Sequence, residues 1–204
     1  REPLRLVYPQ LRRLHYQGVY VLTALAVGEL YCGRLLCDLL DDDEVVRLHM
    51  ESGLPLIRQF KRFFDVLASI CALVLTVPVW IIVPLLLKIS SPKESVFFVQ
   101  KRLGQFGKVF DILKFRTMRS AEGEQKQVWS GVDDPRITRV GYYLRKYRID
   151  EIPQFINILR GEMSLVGPRP EQPELAYDLD TKIRYYRERE MVPPGLTGWA
   201  QIHY

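Results

Sequence analysis

VLASICALVLTVPVWIIVPLLL, at residues 66–87, is a run of 22 residues without a charged side chain, and it decides the fold. A helix needs about 20 apolar residues to cross a bilayer, so the run is long enough to enter one. Pro78 lies near its middle, where proline removes a backbone donor and kinks or breaks a helix. The hydroxyl of Thr76 can satisfy a backbone group that this break frees. The run therefore predicts a helix, a break and a second helix.

Basic residues flank this apolar run on both sides. Arg58, Lys61 and Arg62 precede it among aromatic residues, which is typical of a helix on a membrane surface. The basic residues that follow are Lys88, Lys93, Lys101 and Arg102. Because basic flanks tend to stay cytoplasmic, the pattern favours a re-entrant segment that enters and leaves by one face. A kinked full span and a buried soluble helix remain alternatives.

Positive charge is concentrated around the same segment. The chain has a net charge of +5, and residues 58–119 contain 11 Lys and Arg against 3 Asp and Glu. Such a basic block favours anionic lipid headgroups or a phosphorylated ligand. Charge alone leaves nucleic acid as a competing partner, but no recognised nucleic-acid-binding motif accompanies it, and that reading leaves the apolar run unexplained.

The chain divides into three predicted regions. Residues 18–22 are strand-like and residues 24–40 are helical in character, which is typical of the last βα unit of an open α/β domain. We therefore predict a Rossmann-like remnant at 1–50, an amphipathic helix with the membrane segment at 51–93, and a catalytic domain at 94–204. The fold class predicted is α/β of the mixed α+β kind. We expect the chain to be a piece of a longer protein, with the catalytic domain incomplete at its C-terminal end.

Two short strands are predicted after the apolar run, at residues 96–99 and 109–115, joined through Gly104 and Gly107. Lys114 and Arg116 share a face of the second strand, since side chains alternate with a period of two. Two neighbouring cations repel each other unless an anion lies between them, which makes both candidates for binding phosphate. A solvated strand face is the alternative.

The two adjacent carboxylates Asp150 and Glu151 are the candidate reactive groups. The apolar spacing of residues 152–159 predicts a helix that ends at Gly161, with Asp150 at its N-cap and Glu151 in its first turn. Asp is a preferred cap, and a helix N-terminus also stabilises anions and should keep this carboxylate ionised. Neighbouring helical residues differ by about 100° in direction, so the pair can divide labour between nucleophile and ligand of a hard cation such as Mg²⁺.

Five ordered motifs carry a resemblance to a known family. They are Lys114-Phe115-Arg116-Thr117-Met118, Asp133-Asp134-Pro135-Arg136-Ile137-Thr138, Asp150-Glu151-Ile152-Pro153-Gln154, GEMSLVGPRP at 161–170 and PGLTGWAQ at 194–201. With Lys61-Arg62 and the apolar run, they resemble the bacterial sugar transferases, or monotopic phosphoglycosyl transferases, over residues 58–204. The resemblance implies transfer of sugar-1-phosphate from a UDP-sugar to a polyprenyl phosphate such as undecaprenyl phosphate, with release of UMP. This is the first membrane step of polysaccharide or glycoconjugate synthesis.

The resemblance also implies roles for individual residues. Asp150 matches the family's nucleophile, which forms an aspartyl-phosphosugar intermediate, and Glu151 matches the residue that serves Mg²⁺. The positions that match substrate contacts are Lys114, Arg145 and Arg169, beside the candidate Arg116, and Pro78 matches the helix-breaking proline.

The same resemblance implies a location and a set of partners. The implied location is the bacterial inner membrane with the catalytic domain on its cytoplasmic face. The implied partners are the donor, the acceptor and membrane lipid, with no nucleic acid, and a homo-oligomer is compatible with them. A membrane-anchored module that binds nucleotide sugars without catalysis is the alternative function.

Overall fold

The computed structural model describes residues 55–119 and 134–203. Contacts divide the chain into two compact units, Arg1–Gly53 and Leu54–Tyr204, and the described residues belong to the second. The predicted Rossmann-like remnant at 1–50 lies outside the described residues, as does Asp133 of the second motif. The second unit contains both the apolar run and the candidate reactive carboxylates.

Two helices meet at the predicted break. Helix α1 spans Pro55–Leu75 and helix α2 spans Val77–Ser90, with a bend of 59° between them. Pro78 is in the first turn of α2. The Thr76 hydroxyl donates to the carbonyl of Ala72 (2.7 Å), which also accepts from the Thr76 amide (2.9 Å) and is therefore not a group that Pro78 frees. Pro84, a weaker predicted break, lies inside α2 without ending it. Within the described ranges no single helix could span a membrane, whereas this bent pair passes the same test of length and apolar composition.

Both helices expose large apolar side chains. The exposed ones between the start of α1 and the end of α2 are Leu56, Ile57, Phe60, Phe63, Phe64, Leu67, Ile70, Val74, Leu75, Val77, Ile81, Ile82, Leu85, Leu86 and Ile89. Soluble monomers rarely leave an apolar surface of this extent uncovered. A helix buried in a soluble core, one of the alternatives above, is therefore excluded for this pair.

A β-hairpin follows the helix pair. Strand β1 spans Phe97–Leu103 and pairs antiparallel with strand β2, Val109–Phe115, through a short turn of 3₁₀ helix at Gln105–Gly107. The second strand has its predicted bounds, whereas the first extends four residues further than predicted. The extension contains Lys101, which lies opposite Asp111 in the register. Residues 100–102 are polar and do not by themselves indicate a strand. Their pairing with β2 extends β1 over them.

The two faces of β2 contact different parts of the hydrophobic core. Phe110 and Ile112 pack with Ile158 and Met163. Phe115, only 1% exposed, packs instead in a cluster whose other buried members are Val83, Leu87 and Leu144. Packing at the end of β2 therefore holds helix α2 against the rest of the unit.

The remaining elements are short. They are α3 (Arg139–Lys146), a 3₁₀ turn at Ile149–Glu151, α4 (Gln154–Arg160), β3 (Ser164–Val166), α5 (Pro173–Lys182), a 3₁₀ turn at Tyr186–Met191, β4 (Gly195–Thr197) and α6 (Trp199–His203). Strands β3 and β4 pair in parallel as a second two-stranded sheet. Helix α3 is shorter than the predicted 136–147 because Thr138 caps it, accepting a hydrogen bond from the Gly141 amide (2.9 Å). The mixture of helices and strands confirms the general fold class.

Polar contacts fasten α1 to this body. Asp65 is buried and accepts hydrogen bonds from the Ser164 hydroxyl (2.8 Å) and the Leu165 amide (3.0 Å), beside its ion pair with Lys61 (3.3 Å). The Arg62 guanidinium donates to the carbonyls of residues 158 and 159, at the C-terminal end of α4. Two of the three cations predicted to lie in a membrane surface are thus engaged with the protein itself.

Candidate active site

Asp150 lies in a 3₁₀ turn and does not cap helix α4, so its predicted N-cap position is wrong. Arg148 precedes the turn in the left-handed conformation (φ 57°), and the Glu151 amide donates to its carbonyl (3.2 Å). The residue before α4 is Pro153, which makes no side-chain cap. The amides of Glu151 and Ile152 make 3₁₀-type hydrogen bonds to the carbonyls of Arg148 and Ile149 (3.2 Å each), and the α-helix begins only at Gln154.

The Asp150 carboxylate is buried, and its Oδ1 atom has no hydrogen-bond partner in the part of the chain that the structure describes. Burial raises the pKa of Asp150 above its ordinary value of 3.8, and the charge of Glu151 adds to the increase. The charges of Lys114 and Arg145 oppose this effect. The helix N-terminus that was expected to stabilise the charge of this carboxylate is not formed at Asp150, and burial acts in the opposite direction. A buried carboxylate with a perturbed pKa and cationic neighbours is a candidate functional group.

Glu151 is held by cations through one of its oxygens. Its Oε1 atom pairs with Lys114 (3.1 Å) and more weakly with Arg148 (3.5 Å), whose side chain is 69% exposed. Among residues 55–119 and 134–203, neither pairing uses Oε2. Lys114 thus contacts Glu151 directly, whereas its charge lowers the pKa of Asp150. The structure brings together the strand end and the turn that the sequence placed 36 residues apart.

The other predicted substrate residues separate into two groups. Arg145 belongs with the carboxylates, because its charge lowers the pKa of Asp150, and its guanidinium lies 3.5 Å from the Met118 sulfur. Arg116 instead pairs with Glu94 (2.7 Å). Arg169 lines a separate small cavity with Tyr186, and that cavity contains neither carboxylate of the dyad. Lys114 and Arg145 are therefore the two cations whose charges act on Asp150.

A magnesium site fits these residues only if substrate supplies further ligands. No group of three or more His, Cys, Asp or Glu side chains is assembled in the two described ranges. The Oε2 atom of Glu151, which neither of its ion pairs uses, is a hard oxygen donor of the kind that Mg²⁺ takes. Mg²⁺ commonly binds one or two carboxylates together with phosphate oxygens and water. The donor set is therefore compatible with an ion shared with a diphosphate.

One buried residue beside the dyad was not predicted from the sequence to have a role. Gln154 is 3% exposed, and its Nε2 atom has no partner among the described residues. The signal in the sequence is a polar side chain four positions after Asp150, at the start of a helix whose other face is apolar. That pattern does not reveal burial, which only the packing of α4 determines.

The sequence of this chain is similar to those of known proteins. The model of a family described as bacterial sugar transferase matches residues 56–204. A UDP-N-acetylgalactosamine-undecaprenyl-phosphate N-acetylgalactosaminephosphotransferase of Aeromonas hydrophila is 39% identical over 86% of this chain and 41% of its own length. A UDP-glucose:undecaprenyl-phosphate glucose-1-phosphate transferase of Escherichia coli is 39% identical over 77% of this chain and 36% of its own length.

A shorter relative is covered more completely. The exopolysaccharide production protein ExoY of Rhizobium meliloti is 41% identical over 70% of this chain and 68% of its own length. The chain thus spans about four-tenths of the first two relatives and about two-thirds of the third.

Proposed function

Because the chain belongs to the bacterial sugar transferase family, we propose that it transfers sugar-1-phosphate from a UDP-sugar to a polyprenyl phosphate, releasing UMP. The observation that carries the proposal is the buried, unbonded Oδ1 of Asp150 beside Lys114 and Arg145. Two relatives whose names state such a reaction, with UDP-N-acetylgalactosamine or UDP-glucose as the donor, support it.

The reaction proceeds in two displacements at one phosphorus atom. An oxygen of the Asp150 carboxylate attacks the phosphorus that bears the sugar, and the bond from that phosphorus to the bridging oxygen breaks. UMP leaves with the bridging oxygen and its electron pair. An oxygen of polyprenyl phosphate then attacks the same phosphorus and expels the Asp150 carboxylate. The covalent step lets the soluble donor leave before the lipid acceptor reacts.

The neighbouring charges fit the needs of this chemistry. Phosphoryl transfer depends mainly on positioning and on neutralising negative charge. Lys114 and Arg145 favour the ionised, nucleophilic form of Asp150 against the effect of burial. Glu151, together with an oxygen of Asp150 or of the substrate, would hold Mg²⁺, which when bound withdraws charge from the diphosphate. Lys114 keeps Glu151 oriented through its contact with Oε1.

We further propose that the helix pair is re-entrant in the cytoplasmic membrane, with the catalytic unit on the cytoplasmic face. Both outer ends of the pair contact the same compact body: α1 at Asp65 contacts β3, and α2 at Val83 and Leu87 packs against Phe115. One body cannot lie on both sides of a bilayer. The bend at Thr76 is therefore the deepest point of the segment.

The depth of insertion follows from helix geometry. Along their axes, the stretch of α1 from Asp65 to Thr76 is about 16 Å long and the stretch from Thr76 to Val83 is about 10 Å long, at 1.5 Å per residue. Because the two helices meet at a bend of 59°, both lengths are upper limits for the depth of insertion. The hydrocarbon core of a bilayer is about 30 Å thick. The pair thus reaches into roughly one leaflet, and the reactive carboxylates stay near the headgroups, where the phosphate of a polyprenyl acceptor lies.

Release of UMP tests the transferase proposal. Detergent-solubilised protein with Mg²⁺ and a panel of UDP-sugars is assayed with and without polyprenyl phosphate, for the wild type, Asp150→Asn and the surface control Asp178→Asn. We expect acceptor-dependent release by the wild type and the control, and none by Asp150→Asn. Normal turnover by Asp150→Asn would remove Asp150 as nucleophile. Donor binding without release by the wild type would instead favour a binding module.

Labelling of cysteines tests the re-entrant proposal. In a background without the native cysteines, Gln59→Cys and Lys93→Cys place one thiol on each flank of the pair. An impermeant thiol reagent should label both in inverted membrane vesicles and neither in right-side-out vesicles. Labelling of the two flanks from opposite sides would establish a full span and refute the re-entrant arrangement.

A further inference from the structure

Gln154 is a buried amide with nothing to bind. Its side chain is 3% exposed, and its Nε2 atom has no hydrogen-bond partner in the described part of the chain. Buried polar groups are nearly always paired, so an unpaired one in a native fold requires an explanation. The explanation is either a partner that is absent or a structural compromise.

A second buried amide in the same helix shows what a structural role looks like. Asn157 is 0% exposed, accepts from the Leu113 amide (3.1 Å), and donates to the Asp111 carbonyl (2.8 Å) and to Glu162 (2.7 Å). Its hydrogen bonds join α4 to strand β2. The Nε2 atom of Gln154 makes no such bond among the described residues, although both amides lie in helix α4. Its amide therefore does not serve to hold the helix in place.

Helix geometry places the backbone of Gln154 one turn along from Asp150, on the side of the coil that carries both carboxylates. Residues 149–160 form one continuous right-handed coil, first as 3₁₀ turn and then as α-helix, with Ile152 and Pro153 also in the right-handed region. Each residue advances by about 100° in an α-helix and about 120° in a 3₁₀ helix. Relative to Asp150, Glu151 points about 100–120° around this axis and Gln154 about 40–120°. Gln154 therefore lies one turn along, in the sector between them.

We propose that Gln154 is a substrate-binding residue, whose Nε2 donates a hydrogen bond to a non-bridging oxygen of the phosphoryl group that Asp150 attacks. The inference rests on the proposed transferase function. An anionic oxygen placed between two carboxylates needs a donor, and a neutral amide supplies one without pairing with either acid. The two unbonded atoms then serve one phosphoryl group: the Oδ1 atom of Asp150 attacks its phosphorus, and the Nε2 atom of Gln154 donates to its non-bridging oxygen.

Replacement of the amide by an apolar side chain of similar size tests the proposal. In Gln154→Met the donor is lost and the volume is nearly kept, so the melting temperature should stay constant or rise, because an unpaired polar group is removed. The kcat of acceptor-dependent UMP release should fall by about 100-fold, as when one donor to a developing oxyanion is removed. The KM for the UDP-sugar should change much less, and the loss should be the same for every donor that the wild type accepts.

The control variant is Asn157→Leu, which should lower the melting temperature because it leaves three groups unpaired. If Gln154→Met lowers the melting temperature together with the activity, Gln154 is structural and the proposal is refuted. It is equally refuted if Gln154→Met keeps its kcat within about threefold of the wild type, or if the loss is confined to one donor sugar. A wild type without UMP release would refute the transferase function itself, which is a different result.

Discussion

The ion pair of the buried Asp65 on α1 has a surface counterpart that allows a matched comparison. Lys61 and Asp65 lie four residues apart on α1, 3.3 Å from each other, with Asp65 buried. Lys182 and Asp178 lie four residues apart on α5, only 2.6 Å from each other, with both side chains more than half exposed. By distance alone the surface pair should be the stronger, whereas burial reverses that order.

The magnitude depends on what each aspartate binds. Asp65→Ala removes hydrogen bonds to Ser164 and Leu165 as well as the ion pair, and it leaves Lys61 without its charge partner. Breaking a buried pair of this kind costs about 3–5 kcal/mol. An exposed pair such as that of Asp178 contributes about 0–1 kcal/mol. Both substitutions replace Asp by Ala within a helix, so the gain in helix propensity cancels in the comparison.

Thermal unfolding in detergent measures the difference. For a unit of this size, 1 kcal/mol corresponds to about 2–4 °C. Asp65→Ala should therefore lower the melting temperature by about 6–20 °C, and Asp178→Ala by about 4 °C or less. Tryptophan fluorescence is a suitable signal, because Trp80 packs against the core at Phe115. If the two variants melt within about 2 °C of each other, the reasoning that α1 is fastened through Asp65 is refuted.

Three further predictions concern the site and its scaffold. Because burial raises the pKa of Asp150, the folded protein binds that proton more tightly than the unfolded chain. The proton on Asp150 therefore stabilises the folded state below pH 3.8, and this stabilisation is lost as the pH rises through the pKa of Asp150 in the folded protein. Asp150→Asn should thus melt higher than the wild type at pH 7, and equal or lower melting would contradict this. Lys114 lowers the pKa of Asp150, so Lys114→Met should move the acid limb of the pH–activity profile to higher pH, and an unmoved limb would refute the coupling. A Cβ on Gly141 would lie 2.0 Å from the Thr117 carbonyl oxygen, so Gly141→Ala should cost about 3 kcal/mol or more in the free energy of unfolding. At Gly161 the left-handed backbone (φ 84°) is the obstacle to a side chain, so Gly161→Ala should lower the free energy of unfolding by about 1–2 kcal/mol. Equal losses for Gly141→Ala and Gly161→Ala would refute the steric argument.

Elements whose signals are local could be predicted from the amino-acid sequence. The break before Pro78 and the end of α4 at Gly161 follow from the backbone chemistry of single residues, and the structure has both. Strand β2 likewise has its predicted bounds. The dyad at 150–151 was found from its residue types and its motif, and its role stays a prediction.

The environment of the site is set by tertiary packing, because burial and pairing depend on residues distant in sequence. Packing raises the pKa of Asp150, which the sequence placed at a charge-stabilising helix end. It also bonds Lys61 to Asp65 and Arg62 to the end of α4, where the pattern of basic and aromatic residues indicated only a membrane surface. It also left Gln154 buried without a partner among the described residues, and no periodicity distinguishes that amide from Asn157, which bonds fully three residues later. Local patterns fix where a helix begins and ends, whereas the groups that face each other across the fold are set only when distant segments pack together.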